Sequence, residues 1–129
     1  MNAYEPADPE DHAQRNREAW DDDAIHAIRL RGAGRAFCAG YDIGWGAESM
    51  AESEAGAPWD PIADYQTMSR FVDGFMALWR SPKPVIAQVH GWCVGGGSDF
   101  ALCADLVIAS EDAVIGTPYS RMWGAYLSG

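Results

Sequence analysis

Two glycine-bounded loops constrain this chain more than any other feature of its sequence. The first has the sequence FCAGYD over residues 37–42, and the second has the sequence GWCVGGG over residues 91–97. Glycine has no Cβ, so the backbone N–H groups of such loops can approach a ligand closely. Two loops that each aim one N–H group at a single carbonyl oxygen form an oxyanion hole, where each donor contributes about two to three orders of magnitude in rate. The loops therefore predict a site for acyl transfer or enolate formation, and an acyl thioester suits it.

Composition indicates a globular protein and excludes several classes of function. The chain has 129 residues, of which 48% are hydrophobic and 22% charged, so it is one domain or less with a substantial core. Its net charge is −10 with nine Lys and Arg, which argues against a nucleic-acid partner because phosphate binding needs clustered cations. The sequence contains neither a secretory leader pattern nor an apolar run of about 18 residues. We expect a cytoplasmic protein with no membrane partner.

The cysteine pattern predicts thiols rather than disulfides. Cys38, Cys93 and Cys103 are odd in number, form no Cys-x-x-Cys pair and lie in apolar surroundings. Cys38 and Cys93 have no basic neighbour in sequence, so small apolar packing is favoured over nucleophilic attack. No set of residues has the spacing of metal ligands, and we expect no metal site.

The order of predicted elements is typical of an α/β fold. The predicted helices cover residues 8 to about 20, 62–80 and 98–104. The predicted strands are one that ends at Gly32, then 84–89, 106–109 and 113–115, the last two joined by a turn over residues 110–112. Both glycine segments are predicted as loops. Residues 45–61 are rich in Gly, Ala, Ser, Glu and Pro, which favours a mobile insertion or lid.

Residues 32–42, 83–87, 91–105 and 109–118 together resemble the crotonase (enoyl-CoA hydratase/isomerase) superfamily, and the resemblance covers roughly residues 18–129. It implies an α/β fold with the ββα spiral core of the ClpP/crotonase class. The family domain is about twice this length, so we expect that core to be incomplete. The expected organisation is an N-terminal helix with an acidic lead-in over residues 1–23, followed by a partial crotonase-like acyl-CoA-binding domain over residues 24–129.

The resemblance also implies roles for particular residues. The backbone N–H groups of Tyr41 and Gly96 stand where the family has its oxyanion hole. Hydratases of the family have two catalytic glutamates, and this chain has Asp99 and Tyr119 at those positions. A phenol has an ordinary pKa near 10 and is therefore a hydrogen-bond donor rather than a base at pH 7. Asp99 has a second interpretation as a first-turn acid that complements the helix dipole, and Tyr119 has one as a pocket wall.

Further residues are expected to contact the substrate and its coenzyme A moiety. Arg35, together with Arg29 and Arg31, belongs to the densest group of cations and is expected to meet phosphates, although a solvated strand edge is favoured for the other two arginines. Asp42 is interpreted as an acceptor that orders its loop, and His90 as a hydrogen-bonded supporting group. The expected substrate-binding and coenzyme A-binding residues are Arg35, Cys38, Ala39, Gly40, Asp42, Gly95 and Gly97.

The function implied is that of an enoyl-CoA hydratase-like lyase, which stabilises a thioester enolate during hydration or dehydration of an enoyl-CoA. Coenzyme A would arrive as part of the acyl-CoA substrate, with no separate cofactor, and the family implies a homo-oligomer, a trimer or hexamer. One alternative stays open because both catalytic glutamates are replaced. In it, the chain is a catalytically impaired, truncated paralogue, or an interaction subunit that binds acyl-CoA without turnover. A dinucleotide-binding fingerprint is disfavoured, because Phe37 stands where its third glycine would be.

Overall fold

The computed structural model describes residues 7–42, 60–119 and 121. The expected lid over residues 45–61 lies almost wholly outside these ranges. The described helices are α1 (Ala7–Asp21), α2 (Pro61–Trp79) and α3 (Gly96–Leu102). The described strands are β1 (Ile28–Arg31), β2 (Val85–Val89), β3 (Trp92–Val94), β4 (Leu106–Ala109) and β5 (Val114–Gly116).

The strands form two parallel sheets, and from β2 onward the chain alternates between them. One sheet has the order β1-β2-β4 and the other pairs β3 with β5. Ala87 in the central strand β2 is in register with Leu30 on one side and Val107 on the other. From β2 the chain enters the second sheet as β3 and passes through α3. It then returns to the first sheet as β4 and re-enters the second sheet as β5. This strand–strand–helix repeat confirms the predicted α/β class.

One of the two predicted loops contains a strand. The prediction of an unbroken loop over residues 91–97 is wrong, because Trp92–Val94 is strand β3. The Cys38 N–H donates to Trp92 O at 3.1 Å, and Val94 N–H donates to Cys38 O at 3.0 Å. These bonds, together with pairing to β5, supply the partners that an extended backbone needs. Helix α3 also starts earlier than predicted, within the glycine triplet.

The predicted turn after β4 connects strands of different sheets. Ala113 N–H donates to Ser110 O at 3.0 Å, and Ser110 Oγ donates to Asp112 Oδ1 at 2.6 Å. The hydrogen bond from Ser110 holds the pKa of Asp112 below its usual range. Val114 N–H then donates to Gly91 O at 2.8 Å, which starts β5 beside β3.

The two longer helices pack against each other beside the sheets. Asp60 caps α2, since its Oδ1 accepts from the N–H groups of Ile62 and Ala63 at 2.9 and 3.4 Å. Lys83 Nζ donates to Ala19 O and Asp22 O, both at 2.7 Å, and so ties the end of α1 to the segment before β2. The predicted division of the chain at residue 23 stays a prediction. No helix in the described residues is long and apolar enough to cross a membrane.

Candidate functional site

The two glycine loops meet backbone against backbone. Gly40 has φ 98° and Gly95 has φ 57°, a conformation that favours glycine over other residues. A Cβ on Gly40 would lie 3.1 Å from Val94 O and 3.5 Å from the backbone nitrogen of Gly96. A side chain on Gly40 would therefore push the first loop away from the start of α3. Glycine at this position keeps the backbones that carry the two predicted oxyanion donors in contact.

A second contact holds the loops together beneath Gly40. Cys38 pairs with Cys93 in an isolated parallel bridge, and both side chains are buried. A Cβ on Gly97 would lie 2.6 Å from Cys38 O and 2.7 Å from Cys38 Cβ, so the triplet packs closely on Cys38. Burial and, to a smaller extent, nearby Cys38 together raise the pKa of Cys93 to about 11. The Cys93 thiol is therefore protonated at neutral pH, in keeping with a packing role.

Ser98 fixes the conformation of the glycine triplet, a role that was not predicted. The buried Ser98 hydroxyl donates to Gly95 O at 2.7 Å, and the N–H groups of Ser98 and Asp99 donate to the same carbonyl at 2.8 and 3.2 Å. Gly95 N–H donates to Gly116 O at 3.0 Å. The signal available in the sequence was a serine in the first helical turn, where a hydroxyl bonds the nearby backbone.

The side chain of Tyr41 covers the start of α3. A Cβ on Gly96 would lie 2.8 Å from Cε2 of Tyr41, so the ring lies directly on the glycine. The ring of Phe75 lies near two other aromatic rings. Its centroid is 6.2 Å from that of Tyr41 and 5.9 Å from that of Phe100. Burial raises the pKa of Tyr41, and the nearby Tyr119 and Asp99 raise it further, so this phenol is neutral at physiological pH. The sequence placed Phe75 on the apolar face of a helix but gave no sign that it contacts the site.

Asp99 and Tyr119, the two residues expected at catalytic positions, contact each other. Tyr119 Oη donates to Asp99 Oδ2 at 3.4 Å, and a Cβ on Gly95 would lie 3.5 Å from the same phenol oxygen. Desolvation raises the pKa of the half-buried Asp99, while the hydrogen bond from Tyr119 opposes that rise. The structure thus brings the first loop, the glycine triplet, a carboxyl group and a phenol to one place.

Arg35, for which we expected phosphate contacts, lies elsewhere. It is exposed and lines a surface groove of about 750 Å³. The groove is lined by Ala33, Gly34, Arg35, Ala36, Gly91, Trp92, Asp112 and Val114, and thus includes none of the residues at the carboxyl–phenol contact. His90 Nε2 is 3.0 Å from Gly34 O, in agreement with its predicted supporting role.

The other predicted residues are less closely involved in these contacts. Arg29 and Arg31 are exposed on β1, as a solvated strand edge requires. Ala39 and Asp42 are half-buried in the first loop. Four tryptophans are candidates for the wall of an aromatic pocket. Of these, Trp92 is exposed and lines the groove beside Arg35, whereas Trp45, Trp59 and Trp123 lie outside the described residues.

Comparison with known proteins gives the family. The model of the enoyl-CoA hydratase/isomerase family matches residues 1–126. The chain belongs to the enoyl-CoA hydratase/isomerase family. It is 40% identical over 103 residues to the mevalonyl-coenzyme A hydratase SIDH of Beauveria bassiana, a match that covers 78% of this chain and 36% of that protein. It is 36% identical over 103 residues to a carnitinyl-CoA dehydratase of Proteus mirabilis, covering 79% of this chain and 35% of the relative.

Solved structures show the crotonase fold directly. An enoyl-CoA hydratase from Mycobacterium smegmatis matches with a TM-score of 0.78 and 43% identity, over 89% of this chain and 41% of that one. An enoyl-CoA hydratase/carnithine racemase from Magnetospirillum magneticum matches with a TM-score of 0.81 and 28% identity, over 100% of this chain and 45% of that one. The chain therefore has the fold expected from its sequence and spans less than half the length of these relatives.

Proposed function

We propose that this chain binds an enoyl-CoA thioester and stabilises its enolate during hydration or dehydration. The observation that carries the proposal is the contact between the two glycine loops, where Gly40 packs against the backbone of Gly96. The N–H groups of Tyr41 and Gly96 are the proposed donors to the thioester oxygen. Hydrogen-bond donors held in place before the reaction stabilise a developing oxyanion without reorganising during it.

Asp99 is the proposed acid and base of the reaction. In hydration, its carboxylate accepts a proton from water as the water oxygen bonds to the β-carbon. The electron pair of the C=C bond then forms the double bond between the α-carbon and the carbonyl carbon, and the carbonyl π pair moves to the thioester oxygen. The protonated Asp99 then donates that proton to the α-carbon, and dehydration is the reverse. A pKa raised by desolvation suits this alternation, since acid–base catalysis works best when the pKa lies near the working pH.

The proposed substrate is a whole acyl-CoA, and coenzyme A enters with it rather than as a separate cofactor. The proposed contacts with the thioester are made by Cys38, Ala39, Gly40, Asp42, Gly95 and Gly97. Arg35 is proposed to meet phosphate oxygens, because its guanidinium is exposed and can donate several hydrogen bonds to a charged ligand. The protein is also proposed to assemble as a homo-oligomer, a trimer or hexamer.

Two measurements on one purified sample test the proposal. Calorimetric titration with crotonyl-CoA, compared with free coenzyme A, measures whether the acyl thioester contributes to binding. The hydration of crotonyl-CoA is then followed spectroscopically. Gly96→Pro removes one proposed N–H donor at the first position of α3, where a helix tolerates proline, although the ring also displaces Tyr41. We expect a loss of about a hundredfold to a thousandfold in turnover, and undiminished turnover in a folded variant would refute the oxyanion role.

A second candidate function is acyl-CoA binding without turnover. The observation that favours it is Tyr119, a phenol at the position of a catalytic glutamate and in contact with the other acid. A phenol is a poor proton acceptor at neutral pH. Binding of crotonyl-CoA with no detectable hydration would support this second function over the first.

A further inference from the structure

Among the described residues, Tyr119 makes the one side-chain hydrogen bond to the proposed acid, Asp99, which lies 20 positions earlier in the sequence. Tyr119 Oη donates to Asp99 Oδ2 at 3.4 Å. The backbone of Asp99 is fixed separately, because its N–H donates to Gly95 O at 3.2 Å. Asp99 is therefore held at its backbone N–H and at one carboxylate oxygen, Oδ2. Oδ1 is the oxygen that Tyr119 leaves available.

We propose that Tyr119 is a positioning residue that holds Asp99 Oδ2, so that Oδ1 is presented to the substrate. The inference depends on the proposed function for the identity of the reaction, but the hydrogen bond and its effect on Asp99 can be measured without it. A carboxylate with one oxygen occupied exchanges its proton at the other, so the phenol selects the atom that reacts. A misplacement of about 1 Å can cost on the order of a hundredfold in rate, which makes such orientation consequential for the short Asp side chain.

Among the described residues, the groups that interact with Asp99 are two phenols and a thiol. Tyr41 approaches from the first loop, Tyr119 from the segment after β5, and Cys103 from the end of α3. Burial raises the pKa of Tyr41 and of Cys103, and proximity to Asp99 raises both further. Within the described part of the chain, the hydrogen bond from Tyr119 is what favours the ionised carboxylate of Asp99.

The test compares Tyr119→Phe with the matched control Tyr65→Phe. Tyr65 lies on α2 with 73% of its surface exposed, unlike the half-buried contact between Tyr119 and Asp99. Chains labelled with ¹³C at aspartate carboxyl groups are titrated by NMR, and Asp99→Asn identifies the Asp99 resonance. We expect the titration midpoint of Asp99 to move to higher pH in Tyr119→Phe and to stay in place in Tyr65→Phe. An unmoved or lowered midpoint in Tyr119→Phe would overturn the inference.

A second substitution keeps the test decisive if Tyr119→Phe does not fold. 3-Fluorotyrosine incorporated at position 119 preserves the shape of the ring and makes the phenol a stronger donor. The Asp99 midpoint should then move to lower pH, the opposite direction from Tyr119→Phe. No movement would contradict the inference.

Kinetics separate the positioning role from the proposed reaction. If crotonyl-CoA is hydrated, Tyr119→Phe should lower kcat more than it changes KM, and the acid limb of kcat against pH should move to higher pH. A change confined to KM would overturn the positioning role. If the wild-type chain gives no turnover, the proposed function fails by itself, and the NMR titration still decides whether Tyr119 controls Asp99.

Discussion

Strands β2 and β4 have similar apolar sequences and very different surroundings. In β2, Val85 and Ala87 are 0% exposed and Val89 is 1% exposed. In β4, the neighbouring strand, Leu106 and Ile108 are 60% and 61% exposed. Strand β2 lies between two strands and contacts α3, whereas the pairing described for β4 is with β2 alone. Burial in this sheet is therefore decided by the elements on either side of a strand and not by the strand's own composition.

The candidate site belongs to the packed region. Both glycine loops leave it, and the residues that hold them, Cys38, Cys93 and Ser98, are buried. We therefore expect substitutions in the packed region to affect both stability and the geometry of the site, and substitutions on β4 to affect neither strongly.

The largest expected contrast is between two leucines. Leu78 on α2 is 1% exposed, and Leu78→Ala should lower the free energy of unfolding by about 2–5 kcal/mol, because it removes buried contacts and leaves a cavity. Leu106→Ala on β4 should change it by less than about 1 kcal/mol. Urea unfolding of the two variants measures both values. Equal losses would show that β4 is as well packed as the core in solution.

The next contrast is between two glycines. A Cβ on Gly97 would lie 2.6 Å from Cys38 O, so Gly97→Ala should cost about 1–3 kcal/mol and separate the loops. A Cβ on Gly116 would meet no atom of the described residues within 4 Å, apart from its chain neighbours, so Gly116→Ala should be nearly neutral. Thermal unfolding gives the stability change, and crotonyl-CoA binding reports the loop geometry. A Gly97→Ala variant as stable as Gly116→Ala would show that the loops adjust easily.

A smaller contrast concerns two acids on α2. Asp60→Ala removes the N-cap and should cost about 1 kcal/mol. Asp73→Ala removes an exposed ion pair with Arg80, whose charged atoms are 3.8 Å apart, and should cost only a few tenths of that amount. Chemical denaturation at matched pH measures both. A larger loss for Asp73→Ala would mean that the ion pair, rather than the cap, stabilises this helix.

The smallest expected effect is in the pH dependence of stability. Burial raises the pKa of Asp99 in the folded chain above its unfolded value near 4. Between these two values the folded state binds more protons, so the free energy of unfolding falls as the pH rises through this window. Asp99→Asn removes the ionisation, and its stability should change less with pH there. Parallel curves for the two chains would contradict a raised pKa.

Sequence patterns predicted the elements with strong periodicity and missed those that depend on distant partners. Helix α2 was predicted over residues 62–80 and spans Pro61–Trp79. The prediction succeeded because the apolar spacing and the flanking prolines are local signals. Strand β3 was missed because three residues between glycines carry no periodicity, and its extended form depends on hydrogen bonds with Cys38.

The candidate site was predictable in its backbone and less so in its side chains. Both glycine loops were identified, because a backbone that packs closely against another needs glycine, and glycine residues can be read directly from the sequence. The hydrogen bond between Tyr119 and Asp99 was not predicted, because nothing local records where a residue 20 positions away will lie. The packing of Phe75 on Tyr41 was hidden for the same reason.

The pairing of Cys38 with Cys93 gives the site a foundation made of main-chain atoms. Since amide groups are common to nearly all residues, this foundation does not depend on which side chains surround it. Asp99 and Tyr119 contribute side chains to the site, but they are not part of this main-chain pairing. A descendant of this chain could therefore exchange its acid or its phenol, and with them its reaction, while the glycines that let the two main chains touch remain in place.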